Sequence, residues 1–354
     1  MPRGCTITDW TWVDTLTRQL EHCDVDSTCS VAVLADGGSS TEATNAAVLA
    51  ARRLGAEVAL VQVPSGREPD TARPVLGNEI VVAAVAAADA VLDFSTLGVG
   101  SADTIQQGIG DAVRTVSFGP DPTRDLGFFA PHEGLDRRLE AAMKCLSGTS
   151  TWWIDSPADN RLEVRMGEYR LHSDASDVAP GEIVSWPGGI VRHTPGNETV
   201  RGSVAVMPGD INLSAGTFVR SPVVLEIDKD HVSEVHGDSD DAELIRAQLE
   251  LLGATTPEAT DAYGLSSITL GFHRRSTSNN PFDPQLLQPT RAVAGGGQVT
   301  LTFGSNDVAG RRVDGEVSLV IRQASVHAGD EQLTATGTLC AAVAPDIYEL
   351  ADYP

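Results

Sequence analysis

The chain carries eight histidines, five cysteines and two lysines, and none falls into a spacing that by itself builds a reactive centre. No two histidines stand as HxH or HExxH, the spacings that bring two imidazoles to one metal ion. His231 and His236 flank Val-Ser-Glu-Val in a predicted hairpin and, five apart, point to opposite faces of a strand. His132 follows Pro131 in a loop and His193 follows Arg192 in a Pro/Gly-rich segment. Both are candidates for general acid or base work because imidazole titrates near neutrality. A Ser/His/Asp triad lacks its nucleophile elbow, since Leu146-Ser-Gly148 and Gly264-Leu-Ser266 do not match GxSxG. Lys144 lies in a predicted helix and Lys229 in the charged turn Asp228-Lys-Asp230, neither of them the desolvated setting a Schiff-base lysine needs.

Two glycine-rich turns invite comparison with phosphate cradles. Asp36-Gly-Gly-Ser-Ser-Thr41 joins a strand to a helix, where backbone N–H groups can hold an anion. It is not GxGxxG, and no acidic residue follows at the dinucleotide spacing, so a capped tight turn is the better reading. Gly295-Gly-Gly297 reads as a turn before a strand. The acidic run Asp238–Glu243 lacks the glycine and the terminal glutamate of a calcium loop, and reads as charge at a helix start.

The elements that must position these residues fall into two groups. Residues 8–22 repeat apolar groups at Trp10, Val13, Leu16 and Leu20, an amphipathic helix with Thr8 or Asp9 as cap. Strands at Ser30–Ala35, Glu57–Val63, Ala90–Phe94 and Val113–Phe118 alternate with helices at 42–54, 79–88 and Ser101–Ile109. That alternation predicts an α/β domain with a doubly wound parallel sheet over residues 1–148, with Leu135–Cys145 as the helix leading out of it. From 149 to 354 the pattern becomes short strands broken by Gly, Pro, Asn and Asp, with one helix at Asp238–Leu252. This predicts an α+β domain.

Composition narrows the partners. A formal charge of −24 disfavours nucleic-acid backbones and anionic membranes. No apolar run approaches the ~18 residues of a membrane span, and the start Met-Pro-Arg-Gly-Cys-Thr lacks the order of a signal peptide. A cytoplasmic protein with reduced thiols is expected.

Two stretches carry a resemblance. Ala262-Tyr-Gly-Leu-Ser-Ser-Ile-Thr-Leu-Gly-Phe-His273 and Val308-Ala-Gly-Arg-Arg-Val-Asp-Gly-Glu-Val-Ser-Leu319 resemble the metal-bearing segments of the 2,5-dihydroxypyridine dioxygenases. Trp186-Pro-Gly-Gly189, Gly202–Asn212, Val219–Ile227, His236–Arg246 and Ala324–Asp330 continue the likeness over residues 150–340. The first domain shares only the general layout. A more distant likeness is to aminopeptidase-T-like metallopeptidases. The resemblance implies an Fe(II) site of two histidines and an aspartate, the facial set that leaves positions open for O2 and substrate. It places those ligands at Ser267, Glu316 and Ser318, where this chain has no histidine and no aspartate.

The expectation is therefore a kept scaffold with changed chemistry. Glu316 becomes the candidate general acid or base, raised toward neutrality if buried at a cavity centre. Ser267 and Ser318 become hydrogen-bonding groups for substrate, joined by His273, Arg274 and Arg311; Arg275 offers a further cation. The substrate expected is a small polar, pyridine-type ring compound, without a metal cofactor, in specialised metabolism. Two alternatives stay open: an Fe(II) dioxygenase with a rebuilt site of His273, Asp314 (or Asp307) and Glu316, and a silent ligand-binding homologue. Short exposed strands lead to the expectation of a homo-oligomer.

Overall fold

The computed structural model describes residues 9–63, 79–96, 98, 112–273 and 282–345. The helix expected at Ser101–Ile109, and Arg274 and Arg275, lie outside the described residues. The protein is a mixed α/β chain with one parallel sheet and two antiparallel ones. It divides into two compact units: residues 1–133 with 174–188, and residues 134–173 with 189–354. The single boundary expected at 148 is thus replaced by a chain that leaves the first unit at 133 and returns at 174–188.

In the first unit a five-stranded sheet runs β2 (Glu57–Gln62), β1 (Ser30–Ala35), β3 (Ala90–Asp93), β4 (Arg114–Ser117) and β8 (Ile183–Ser185), every pair parallel. β8 explains the return. Ile183–Ser185, within the region expected to form the second domain, is the fifth strand of the first unit's sheet. Because successive strand residues face opposite ways, Val31 and Val33 of β1 enter one core while Ala32 and Leu34 enter another. Helices α1 (Trp10–Glu21) and α2 (Thr41–Arg53) cover the first face, and α3 (Glu79–Ala86) supplies Val81 and Val85 to the second. Helices therefore cover both faces of the parallel sheet.

The caps follow from residue chemistry. Asp9 accepts from the Thr11 N–H at the start of α1, and Ser40 from the Ala43 N–H at the start of α2. Val13, Leu16 and Leu20 of α1 are buried as expected, whereas Trp10 is 67% exposed. The turn after β1 is filled by its own groups: Asp36 accepts from the N–H groups of Gly38 and Thr96 and from Ser39 Oγ. Burial pushes the Asp36 carboxyl up, but those hydrogen bonds outweigh it and hold the group below the usual carboxylate range. A carboxylate at the centre of the turn disfavours a phosphate there. The buried Cys23 thiol is pushed up to about 12 by desolvation, the opposite of what a nucleophile needs.

The second unit contains the two antiparallel sheets. One has eight strands, in the order β14 (His231–His236), β13 (Val223–Asp228), β10 (Val200–Val206), β6 (Asn160–Arg165), β5 (Thr151–Ser156), β18 (Ser325–Ala328), β19 (Glu331–Ala335) and β20 (Thr338–Leu339). The other has seven: β12 (Thr217–Phe218), β11 (Ile211–Asn212), β17 (Arg311–Ile321), β16 (Val299–Asn306), β15 (Leu265–Gly271), β9 (Ile190–Pro195) and β7 (Tyr169–Asp174). The sheets meet through apolar faces; Trp152 of β5 lies edge-on to His193 of β9, with ring centroids 5.4 Å apart. The helix Asp240–Ala254 opens on Ser239, which accepts from the Ala242 N–H, with Asp240, Asp241 and Glu243 in its first turn. The acidic run is therefore helix-start charge. Among the described residues no helix is long and apolar enough to cross a membrane.

Candidate functional site

Strands β9, β15, β16 and β17 lie side by side, and their alternation gives the seven-stranded sheet two unlike faces. Ile268, Leu301, Phe303 and Leu319 are fully buried on the face toward the other sheet. On the opposite face Ser267, Thr302 and Ser318 stand in one row, since Ser267 pairs with Thr302 and Thr302 with Ser318. A second row holds Arg192, Thr269 and Thr300, paired in the same way. These rows floor a cavity of about 490 Å³, walled by Leu213 and Ser214 on one side and by Pro289 and Val293 on another. The volume lies in the ~300–1,000 Å³ range of small-ligand pockets.

Local irregularities shape the floor. The β15–β16 register shifts between Leu265 and Ser267, and at this bulge the consecutive residues Ser266 and Ser267 both line the cavity. A second shift between Gly304 and Asn306 brings Ser305, Asn306 and Asp307 to the rim. Gly304 sits opposite Glu316 at φ +139°, and a Cβ there would lie 2.8 Å from the Gly315 carbonyl oxygen. Only glycine fits this position without displacing the strand that carries Glu316.

Glu316 is held by hydroxyls. Ser318 Oγ donates to Glu316 Oε1 at 3.4 Å and lies 3.0 Å from Thr302 Oγ1. Ser214 Oγ donates to the Glu316 carbonyl at 3.2 Å and accepts from the Ser318 N–H at 2.9 Å, tying the wall to the floor. Asp307 is the other carboxylate of the lining, and the Arg170 guanidinium, 2.7 Å away, holds it below the usual carboxylate range. Glu316 itself is exposed to the cavity mouth, so the burial expected to raise it toward neutrality is not present.

The residues expected at the site are partly gathered. Ser267, Glu316 and Ser318 line the cavity together. Arg311 does not: it is buried, donates through Nη2 to the Leu265 carbonyl at 2.7 Å, and lies under Gly264, whose Cβ would meet its Nε at 2.5 Å. Burial pushes its guanidinium down, against the pull of Asp230 and Asp261. It is a strut beneath β15 rather than a substrate contact. His273 is buried beside Gly189, with its N–H on the Ala294 carbonyl, and does not line the cavity. Asp314 is exposed and also lies off the lining. Among the described residues His273, Asp314 and Glu316 do not form a group whose donor atoms lie within 4.8 Å of one another. His193 is enclosed between Trp152 and Tyr169 on the far face of the sheet.

Arg192, Thr300, Thr302 and Ser214 are lining residues that sequence reasoning passed over. A signal existed for two of them: Val299-Thr-Leu-Thr-Phe303 alternates hydroxyl and apolar residues, the pattern of a strand with one polar pocket face.

The fold and this cavity define a known class. The family model of the 2,5-dihydroxypyridine 5,6-dioxygenases (NicX) matches residues 11–341, and the chain belongs to that family. The match takes in the first unit as well as the region 150–340 where the sequence likeness was read. Among curated relatives, the 2,5-dihydroxypyridine 5,6-dioxygenase of Pseudomonas putida is 27% identical over 347 residues, 92% of this chain and 96% of that protein. The solved 2,5-dihydroxypyridine dioxygenase of Pseudomonas putida KT2440 superposes with a TM-score of 0.81 at 24% identity, over 94% of this chain and 98% of that one. AmpT from Thermus thermophilus superposes with a TM-score of 0.61 at 13% identity, over 94% and 99%. Both superpositions speak to the fold.

The donor chemistry of the cavity can be set against the iron that the family implies. Among the described residues, nine of the sixteen that line the cavity carry hydroxyls, two carry carboxylates and none carries an imidazole or a thiolate. Ferrous ion in oxygenases is held by two imidazoles and a carboxylate, and neutral hydroxyls are weak replacements. With Asp307 engaged by Arg170, Glu316 is, among the described residues, the one carboxylate of the lining outside an ion pair. This donor set does not fit a ferrous centre.

Proposed function

We propose that this chain is an enzyme that uses the dihydroxypyridine-dioxygenase scaffold for metal-independent acid/base chemistry on a small polar, pyridine-type ring compound. The observation that carries the proposal is the position of Glu316: an unpaired carboxylate in a hydroxyl-lined cavity, oriented by Ser318 and Thr302. A carboxylate so held can take a proton from a ring N–H or O–H, or from a water attacking the ring, and return it to another atom. Hydrolysis and isomerisation both need that step. Ser267 and Ser318 offer hydroxyls that donate to ring oxygens or accept from ring N–H groups. We further propose a cytoplasmic homo-oligomer of specialised metabolism, and size-exclusion chromatography with light scattering tests the oligomeric state.

Family membership favours a second reading, an Fe(II) ring-cleaving dioxygenase with unorthodox ligands. Elemental analysis of protein purified without oxygen, paired with Glu316→Gln, separates the two. Stoichiometric iron that is lost in Glu316→Gln overturns the metal-independent proposal. Turnover without metal, lost in the variant, supports it. If neither metal nor any ligand-dependent rise in melting temperature is found, the protein is a silent homologue.

A further inference from the structure

Carboxylates outnumber cationic side chains in this chain by 49 to 25, so its arginines readily find partners. Arg161 pairs with Asp155, Arg165 and Arg201 with Glu163, and Arg170 with Asp307. Arg18, Arg52, Arg220 and Arg312 lack such partners among the described residues but are exposed, and Arg192 differs from them in being half-buried. Among the described residues it makes no ion pair and no side-chain hydrogen bond, although it is half-buried and lines the same cavity as Asp307 and Glu316. Among the described residues it is also the one cationic side chain of that lining. In its row stand Thr269 and Thr300, both buried, and Thr300 Oγ1 has no hydrogen-bond partner. A buried hydroxyl left unsatisfied is destabilising unless a ligand or water completes it. A bare guanidinium and an unfilled hydroxyl in one row of a cavity floor make half of a binding site for a planar anion.

We infer that Arg192, with Thr269 and Thr300, is a carboxylate-recognition subsite, so that the substrate is a small polar ring bearing a carboxylate. The inference rests on the acid/base reading of the same cavity and names its substrate class. A carboxylate fits better than a phosphate. The planar guanidinium matches two carboxylate oxygens, while a dianion would want further cations or a nest of N–H groups, and among the described residues this lining offers no second cation. Arg192 stands on β9 and Glu316 on β17, three strand spacings of ~4.8 Å across the sheet and, by register, four residues or ~13 Å along it. Their backbones lie ~20 Å apart, so both long side chains must reach inward to meet one ligand. The ring would therefore lie across the hydroxyl rows, its carboxylate at Arg192 and its reacting edge toward Glu316.

Calorimetric titration of the full chain with pyridine-3-carboxylate, pyridine-3-carboxamide and inorganic phosphate tests this. The carboxylate is expected to bind about 10- to 100-fold more tightly than the isosteric amide, the range of a charge-assisted hydrogen-bonded pair. Arg192→Gln should erase that preference, Arg192→Lys should keep part of it, and Glu316→Gln should keep it in full. Equal binding of carboxylate and amide by the natural protein overturns the subsite, as does a preference that survives Arg192→Gln. Binding of neither ring at millimolar concentration, or phosphate binding as tightly as the carboxylate, overturns it too. Iron found in the purified protein would remove the acid/base reading, while the Arg192-dependent preference would stand or fall on its own titration.

Discussion

Arg192 and His193 are neighbours in one strand and occupy opposite environments. Arg192 faces a hydroxyl-lined cavity; His193 is enclosed between Trp152 and Tyr169, with neither ring nitrogen hydrogen-bonded. The same division runs through the sheet: Ile268, Leu301 and Leu319 build the seam between sheets, and Ser267, Thr302 and Ser318 build the floor of the cavity. One face therefore sets stability and the other sets binding and chemistry. Substitutions that change only one of these properties sharpen the division, and substitutions that change both would break it.

The largest effect is expected at Glu316. Glu316→Gln removes the proton acceptor while keeping size and one oxygen, and turnover should fall by about 10²–10⁴-fold. Because Glu316 is exposed at the cavity, the melting temperature should stay close to that of the natural protein. A comparable drop in stability would show that Glu316 is a structural residue. On the other face, Leu301→Ala should cost about 2–5 kcal/mol in denaturant unfolding, through lost burial and a cavity left between the sheets. Thr302→Ala, one residue along, should cost about 1 kcal/mol. Equal losses for the two would abolish the distinction between the faces.

His193 gives the seam a pH dependence. Desolvation lowers its pKa from 6.5 to about 4, so the folded chain prefers the neutral ring. The unfolded chain binds the proton more readily, and stability is lost as pH falls from about 6.5 to about 4, with no further loss from this group below that. The shift corresponds to about 3 kcal/mol. His193→Phe should flatten that window in pH-dependent unfolding, while carboxylates elsewhere titrate alike in both proteins. An identical slope for variant and natural protein would mean that water reaches the ring.

Much of this was legible in the sequence, for physical reasons that differ by element. The βαβ alternation and the caps at Asp9 and Ser40 depend on local patterns, and they fold as read. Ser267, Glu316 and Ser318 were found through the resemblance, and the strand register brings them together. Arg311 was offered as a substrate contact from its place in the resembling segment, whereas its burial under Gly264 depends on contacts distant in sequence. Arg192 was overlooked for the converse reason. Its strand is short, and the face it occupies is set by pairing with β15, seventy-odd residues further on. The return of 174–188 to the first unit is likewise non-local, since β8 is specified by its parallel partner β4.

The smallest expected effect separates two adjacent serines. Ser266 and Ser267 both reach the cavity because of the β15 bulge, yet Ser266 donates its hydroxyl to the Ser305 carbonyl, whereas Ser267 has its side chain among the row facing the ligand. Removing a neutral hydrogen bond costs about 0.5–1.5 kcal/mol. In Ser267→Ala that loss should be seen in KM, a rise of a few-fold with kcat held, because the hydroxyl binds ground state and transition state alike. In Ser266→Ala it should be seen in unfolding, because the bond closes the bulge rather than meeting a ligand. If Ser267→Ala lowers kcat and leaves KM unchanged, the hydroxyl acts on the reacting atoms, and Ser267 belongs with Glu316 in the proton transfer. The bulge would then have placed a second reactive group one pleat away from a structural one, and the line between binding and catalysis would run through β15 itself.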